Sequence, residues 1–184
     1  MISALQWIVI FVLTSMAVGW LERSRNRTTA TRTPDSLYHP PSTLILGLVT
    51  GEFFAGIAVV SYLYSGTLRV SLGFLIFALV GGLFIVEYIR VQHELGPGGM
   101  RYRKVFGNGG NFLWQDVVSV KYSRSAKWFR IVTASGEVIK VSAMLAGLPQ
   151  FARAVLAGVD PDKFDDTTRV VLEQTATGFP PPLM

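Results

Sequence analysis

The chain of 184 residues contains no cysteine and only two histidines, His39 and His93. Without thiols it can form neither a disulfide framework nor a thiolate metal site, and zinc chemistry of the usual kind is not expected. Charged residues are also scarce, because Asp, Glu, Lys and Arg make up 16% of the chain against 50% hydrophobic residues. This balance is too apolar for an ordinary soluble domain and indicates a membrane protein.

Catalytic motifs are missing as well. The sequence has no nucleophile elbow, P-loop, HExxH motif or pair of carboxylates at catalytic spacing, so we expect neither an enzyme nor a cofactor. The glycine-rich run 107–111 lies between candidate strands, where it would not direct helix amides at a phosphate, and it is interpreted as a flexible hairpin tip. A group of four aspartates does not have the spacing of an EF-hand calcium site and is typical of a helix N-terminus instead. Its members are Asp160, Asp162, Asp165 and Asp166.

Three apolar runs, at 1–21, 43–64 and 70–86, predict transmembrane helices. A hydrocarbon core of about 30 Å needs about 20 mainly apolar residues in a helix. The first run lacks a basic start and a cleavage site, so it is interpreted as a retained span and not as a signal peptide. A turn at 65–69 joins the other two runs into a helical hairpin.

Orientation follows from the short loops, because translocating Lys and Arg across a membrane is costly. One side holds only Arg69 and the amino terminus, and the other side holds Arg23, Arg25, Arg27, Arg32, Arg90, Arg101, Arg103 and Lys104. We therefore predict a plasma (inner) membrane protein with its amino terminus outside and with the connector 22–42 and everything after Arg90 in the cytoplasm. Three prolines disfavour a helix in the connector, which we expect to be irregular, with its arginines near anionic lipid: Pro34, Pro40 and Pro41.

Small residues recur every four positions within the spans, at Gly47, Gly51 and Ala55 and again at Ala78 and Gly82. Such stripes let helix backbones approach closely. They serve either packing within this chain or homo-oligomerisation, and the sequence leaves both open.

Glu52 lies near the middle of the second span, where a carboxylate costs about 2.5–3.5 kcal/mol on insertion scales. It is either a protonated structural group bonded to Ser61, Thr50 or a backbone carbonyl, or a functional group. The functional alternative is an oligomeric transporter or channel component, because three spans rarely enclose a pathway alone.

At about residue 88 the spacing of hydrophobic residues changes from the period of a helix to the period of two residues that is typical of a strand. Candidate strands are 88–95, 100–106, 112–114, 117–123, 127–134 and 137–142, separated by glycine-rich turns, and they predict an antiparallel meander. A helix should begin at Pro149, with an apolar face made of Leu148, Phe151, Ala152, Val155 and Leu156. The remaining part, 158–184, should form a second helix at 162–175 and a proline-rich tail that is disordered or partner-bound.

The motifs GGMR at 98–101, WQDVVSV at 114–120, KWFRI at 127–131 and SGE at 135–137 precede this closing helix. Together they resemble the pleckstrin-homology-like domain of small bacterial multi-span membrane proteins, over residues 88–157. The resemblance implies a curved antiparallel barrel capped by a carboxy-terminal helix. It implies no specific activity, because fold analogy does not bring function with it.

Basic side chains outnumber acidic ones by eight to two within 100–140, and the whole chain has a formal net charge of +5. Strand alternation lets only one of Trp128 and Phe129 face inward, which leaves an aromatic ring near the cations. The predicted lipid- or partner-binding residues are Arg101, Arg103, Lys104, Arg124, Lys127, Trp128 and Arg130, although cations that merely coat the surface would give the same pattern. We expect a non-enzymatic protein that binds a protein partner or anionic lipid headgroups, as a scaffold, regulator or protective partner, and not nucleic acid.

Overall fold

The computed structural model describes residues 16, 19–26, 35–66 and 68–181. Residues 19–26 are helical. The first predicted span, 1–21, lies almost wholly outside the described residues, as do residues 182–184 of the tail.

Two long helices form a hairpin. Helix α1 covers Pro41–Ser65 and helix α2 covers Leu68–Arg90. Pro41 at the first helical position has the fixed φ that a helix start needs, and Gly66 ends α1 in the left-handed conformation at φ 61°. Both helices are long and apolar enough to cross a membrane, and only 17% and 11% of their most apolar windows are buried within the chain. A core helix of a soluble protein would be mostly buried, so this hairpin is suited to membrane association.

The two helices of the hairpin contact each other at glycine residues. A Cβ atom on Gly81 would lie 2.5 Å from the backbone nitrogen of Gly51 and 2.8 Å from the carbonyl oxygen of Gly47. The predicted small-residue stripe is therefore used for packing within the chain. Its partner on α2 is Gly81 and not the predicted Gly82, where an added Cβ would meet nothing within 4 Å.

The described residues contain seven strands, the six that alternation predicts and one before the hairpin, and they form two antiparallel sheets. The first sheet has the order β1-β2-β3-β4 and the second β5-β6-β7. Their bounds are Ser36–Tyr38 (β1), Gln92–Gly96 (β2), Gly99–Tyr102 (β3), Gly110–Leu113 (β4), Val117–Ser123 (β5), Trp128–Thr133 (β6) and Val138–Ser142 (β7). The described residues do not form a closed barrel. The strand predicted from Tyr88 begins only at Gln92, because α2 continues to Arg90 and the Val91 N–H still donates to the Glu87 carbonyl at 2.9 Å.

The connector 22–42 is not irregular where the structure describes it. Strand β1 pairs antiparallel with β2, with Leu37 opposite His93 and Tyr38 opposite Gln92. The Ala146 N–H also donates to the Tyr38 carbonyl at 2.9 Å, which ties β1 to the segment after β7. Three residues between prolines are too short to give a readable period, so the sequence did not reveal this strand.

Arg25 belongs to the interior and not to the lipid surface that we predicted for it. Its side chain is 4% exposed and donates from Nη1 to the Ala143 carbonyl at 2.8 Å and to the Pro181 carbonyl at 3.2 Å. Burial lowers the pKa of its guanidinium, and Glu22 partly offsets this effect. Pro181 is buried as well, whereas Gly178 and Phe179 before it are exposed, and the expectation of a disordered or partner-bound tail stays a prediction.

Two short helices complete the globular region. The second begins at Asp166 and not at the predicted residue 162, because a separate 3-10 helix, Pro161–Lys163, precedes it and Asp165 caps its start. Helix α3, Leu148–Gly158, buries Leu148, Phe151, Ala152 and Val155, and the Phe151 ring centroid lies 5.5 Å from that of Phe129 in β6. Helix α4, Asp166–Ala176, buries Leu172. The Asp165 carboxylate caps α4 by accepting from the Thr168 N–H at 2.7 Å, which agrees with the helix-start interpretation of the aspartates.

Candidate functional site

A basic groove of about 910 Å³ lies between the last residues of α2 and the loop that joins β3 to β4. Its cations come from both sides, with Arg90 on the helix and Arg101, Arg103 and Lys104 on and after β3. The glycine-rich run 107–111 forms the opposite wall. No carboxylate is among the described residues that line this groove, so its electrostatic potential favours an anion.

The local sequence explains the shape of the groove. Alternation along β3 buries Tyr102 and leaves Arg101 and Arg103 exposed. Gly107 has φ 89°, and a Cβ atom on Gly109 would collide with the Tyr102 carbonyl, so the loop folds back only because these residues are glycines. Arg90 donates from Nη1 to the Val105 carbonyl at 3.4 Å, which connects the helix end to the loop.

The cations of the groove are unequally neutralised. Lys104 Nζ lies 2.7 Å from Glu137 Oε1. Lys104, and then the hydroxyl of Tyr102, lower the pKa of Glu137 by hydrogen bonding. Burial, and then the same carboxylate, raise the pKa of Tyr102 to about 12. Arg101 has only a 3.8 Å contact with Glu94, in which both side chains are more than two-thirds exposed, and such surface pairs contribute little.

The seven predicted binding residues do not form one cluster. The groove contains Arg101, Arg103 and Lys104. Arg124 and Lys127 line a separate depression of about 330 Å³ beside Phe179 and Pro181. Trp128 and Arg130 lie on the outer face of the second sheet, since Phe129 between them is fully buried.

Arg130 is the middle of a row of three cations across the second sheet. Lys121 of β5 lies opposite Arg130, and Arg130 lies opposite Lys140 of β7. Within the part of the chain that the structure describes, none of the three makes a salt bridge. Like charges directly opposite one another destabilise a sheet. The Lys140 ammonium lies 4.5 Å from the ring centroid of Trp128, and this cation–π contact partly offsets the repulsion between the cations.

Glu52 is on an exposed face of the hairpin and makes no hydrogen bond or ion pair with any described residue. It borders an apolar depression of about 330 Å³ that contains Gly51, Ala55, Ala78 and Gly82. The structure brings none of the other predicted binding residues to it, so its role in transport or partner binding stays a prediction.

The two histidines come together in a second cavity, of about 310 Å³, which we call the histidine cavity. Continuing the β1–β2 register by one residue sets His39 opposite Val91, so that His39 and His93 share one face of the strand pair. Each is 3% exposed, and none of their four ring nitrogens has a hydrogen-bond partner of acceptable geometry among the described residues. Leaving a buried polar group unsatisfied costs about 1–3 kcal/mol, so this arrangement calls for an explanation.

Both imidazoles are neutral at physiological pH. Burial, and then repulsion by His93, lower the pKa of His39 to about 4. Burial also lowers the pKa of His93 to about 4, and the backbone of Gln92 only partly offsets this effect. A neutral imidazole has one N–H donor and one acceptor nitrogen, so the cavity offers two donors without a net charge from the histidines.

Sequence reasoning missed the histidine cavity and the role of the glycine-rich loop. The histidines are 54 positions apart and meet only through β1, which was not predicted. For the loop a signal was available, because cations precede the run 107–111 closely in the sequence. We interpreted the run by its strand–strand context alone.

The chain was also compared with protein-family models, with curated proteins and with solved structures, and none of these comparisons found a match.

Proposed function

We propose that this chain is a non-enzymatic membrane protein whose globular region faces the cytoplasm and binds the phosphate of an anionic lipid headgroup in the basic groove. The proposal includes residues 1–21 as a further span and a pleckstrin-homology-like identity for residues 88–157. The observation that carries it is the convergence of four cations and a glycine-rich loop at the end of a helix suited to a membrane.

Location favours lipid over a soluble anion. Ile89 and Arg90, the last two residues of α2, line the groove, and α2 is one of the two candidate spans in the described part of the chain. If α2 crosses the bilayer, the groove opens at the level of the headgroups. Cations near an anionic leaflet contribute about 1 kcal/mol each.

The loop contributes a second kind of recognition. Glycines let a backbone approach a ligand closely and direct its N–H groups at an anion, and Asn108 and Asn111 add amide donors at the same wall. Arginine is suited to the planar, two-point recognition of phosphate oxygens. The groove therefore combines charge with directional donors.

The test is lipid retention by the full-length chain purified in mild detergent. Native mass spectrometry should detect bound phosphatidylglycerol in preference to phosphatidylcholine. The variant Arg90→Gln/Arg101→Gln should bind phosphatidylglycerol about 30-fold more weakly, because two cations at about 1 kcal/mol each amount to that factor.

A matched control removes two cations from the surface of the helices, Arg153→Gln/Arg169→Gln, and should retain the lipid. Equal losses in both variants would mean that net charge and not the groove attracts lipid. Retention by both variants would refute headgroup binding in the groove. If a polypeptide co-purifies instead and is lost only with Arg90→Gln/Arg101→Gln, the groove binds an acidic protein.

A further inference from the structure

The histidine cavity is not explained by headgroup binding in the basic groove. It lies where the end of the hairpin meets both sheets, and its walls include Glu87 of α2, Val91, Trp128 of β6 and Lys140 of β7. With a volume of about 310 Å³ it is at the lower end of the range for small-molecule sites.

The lining of this cavity combines polar groups with apolar walls. His39 and His93 supply N–H donors that have no hydrogen-bond partner of acceptable geometry among the described residues. Val91, Val105, Val138 and Ile139 provide apolar walls.

The charges at the cavity favour an anion over a metal ion. Three cations border it, Arg103, Lys104 and Lys140, of which Lys104 is already paired with Glu137, whereas Glu87 is its one carboxylate among the described lining residues. No group of three potential metal ligands occurs in the described part of the chain. Two imidazoles alone, surrounded by cations, make a poor site for a divalent cation.

We propose that the histidine cavity binds a single-chain amphipathic anion whose head accepts hydrogen bonds from His39 and His93 and pairs with Lys140. The hydrocarbon chain lies along the valine and isoleucine walls, toward the hairpin. A fatty-acid carboxylate and a single-chain phosphate share this chemistry. Because Glu87 and Val91 belong to the end of the hairpin, such a ligand reaches the cavity from the membrane.

The presence of only two histidines makes the test direct. The full-length chain, labelled with ¹³C and ¹⁵N at histidine, is placed in phosphatidylcholine nanodiscs and titrated with dodecanoate, dodecyl phosphate or neutral dodecanol. Dodecanoate or dodecyl phosphate should shift the imidazole signals of both histidines saturably, and the tighter of the two identifies the headgroup. Dodecanol should not shift them.

Single substitutions identify the cation that binds the head of the ligand. Lys140→Gln should weaken binding about fivefold, which is about 1 kcal/mol for one cation. Lys121→Gln, in the same row of cations but outside the cavity, should leave it unchanged. Arg101→Gln, in the groove only, should also leave it unchanged, which separates this proposal from headgroup binding.

Three outcomes would overturn the proposal. The histidine signals do not shift with either anion, dodecanol shifts them as strongly as dodecanoate does, or Lys121→Gln weakens binding as much as Lys140→Gln.

Discussion

The hairpin and the globular region are packed in opposite ways. In the hairpin the backbones touch at Gly47, Gly51 and Gly81, while large side chains such as Phe53 and Leu63 point outward and are 61% and 73% exposed. In the globular region Phe129, Ile131 and Phe151 are fully buried and cations cover the outside. The difference follows from the solvent that each region meets. Removing a side chain should therefore damage the globular region, and adding one should damage the hairpin.

The largest expected effect is the loss of a core ring. Phe129→Ala should destabilise the globular region by about 3–5 kcal/mol, because it removes a fully buried aromatic side chain next to Phe151. Trp128→Ala, one position earlier on the outer face, should cost much less. Denaturant unfolding followed by near-ultraviolet circular dichroism measures both, and equal costs would contradict the assignment of the inner face.

The junction between the two regions should be sensitive to acid. His39 and His93 have a pKa of about 4 in the folded chain against about 6.5 when unfolded, so the unfolded state binds more protons between these values. Stability should fall as the pH falls from 6.5 toward 4. At pH 5 the loss is about 2 kcal/mol per histidine, at about 1.4 kcal/mol per pKa unit.

Melting temperatures measured from pH 7 to pH 4.5 check this expectation. The variant His39→Gln/His93→Gln controls for the carboxylates that titrate over the same range, and its melting temperature should fall less steeply than that of the original chain. Parallel curves would mean that the histidines are not held neutral by burial. Glu87, Arg103, Lys104 and Lys140 face the same cavity, and the double variant retains all of them.

The smallest expected effect concerns two adjacent glycines. Gly81→Ala should destabilise the hairpin by about 1–3 kcal/mol, because the new methyl group meets the backbone of α1. Gly82→Ala meets open space and should be neutral or slightly stabilising, since alanine favours helix. Thermal unfolding in detergent compares the pair. A greater loss for Gly82→Ala would show that residue 82 packs against another copy or another segment.

Elements with a clear period were predicted well from the sequence. Strand β5 has the predicted bounds, and β6, β7 and α3 begin within a residue of theirs, because alternation and a first-turn proline are local signals. The stretch from Tyr88 to Arg90 was misassigned because the same apolar residues suit a helix end or a strand start. Only the continued hydrogen bonding of α2 decides between them.

The candidate site was predicted less completely. Counting cations identified Arg101, Arg103 and Lys104, but it also grouped them with Arg124, Lys127 and Arg130, which lie on other surfaces. The division of the strands into two sheets decides which cations share a surface. The alternation of residues along the sequence does not show that division. The histidine cavity depends on β1, whose pairing with β2 crosses the entire hairpin.

The burial of Arg25 has a consequence for the order of assembly. Its guanidinium donates to the carbonyl of a residue 156 positions later in the chain. A ribosome releases the amino-terminal part first, so the contacts of Arg25 with Pro181 and of Tyr38 with Ala146 can form only after the hairpin is complete. These contacts between the segment before the hairpin and the globular region therefore form last and close over a long loop, which is intrinsically slow. Truncation before Pro181 should remove one of the two carbonyl groups to which the Arg25 guanidinium donates and leave the Ala143 carbonyl as its acceptor.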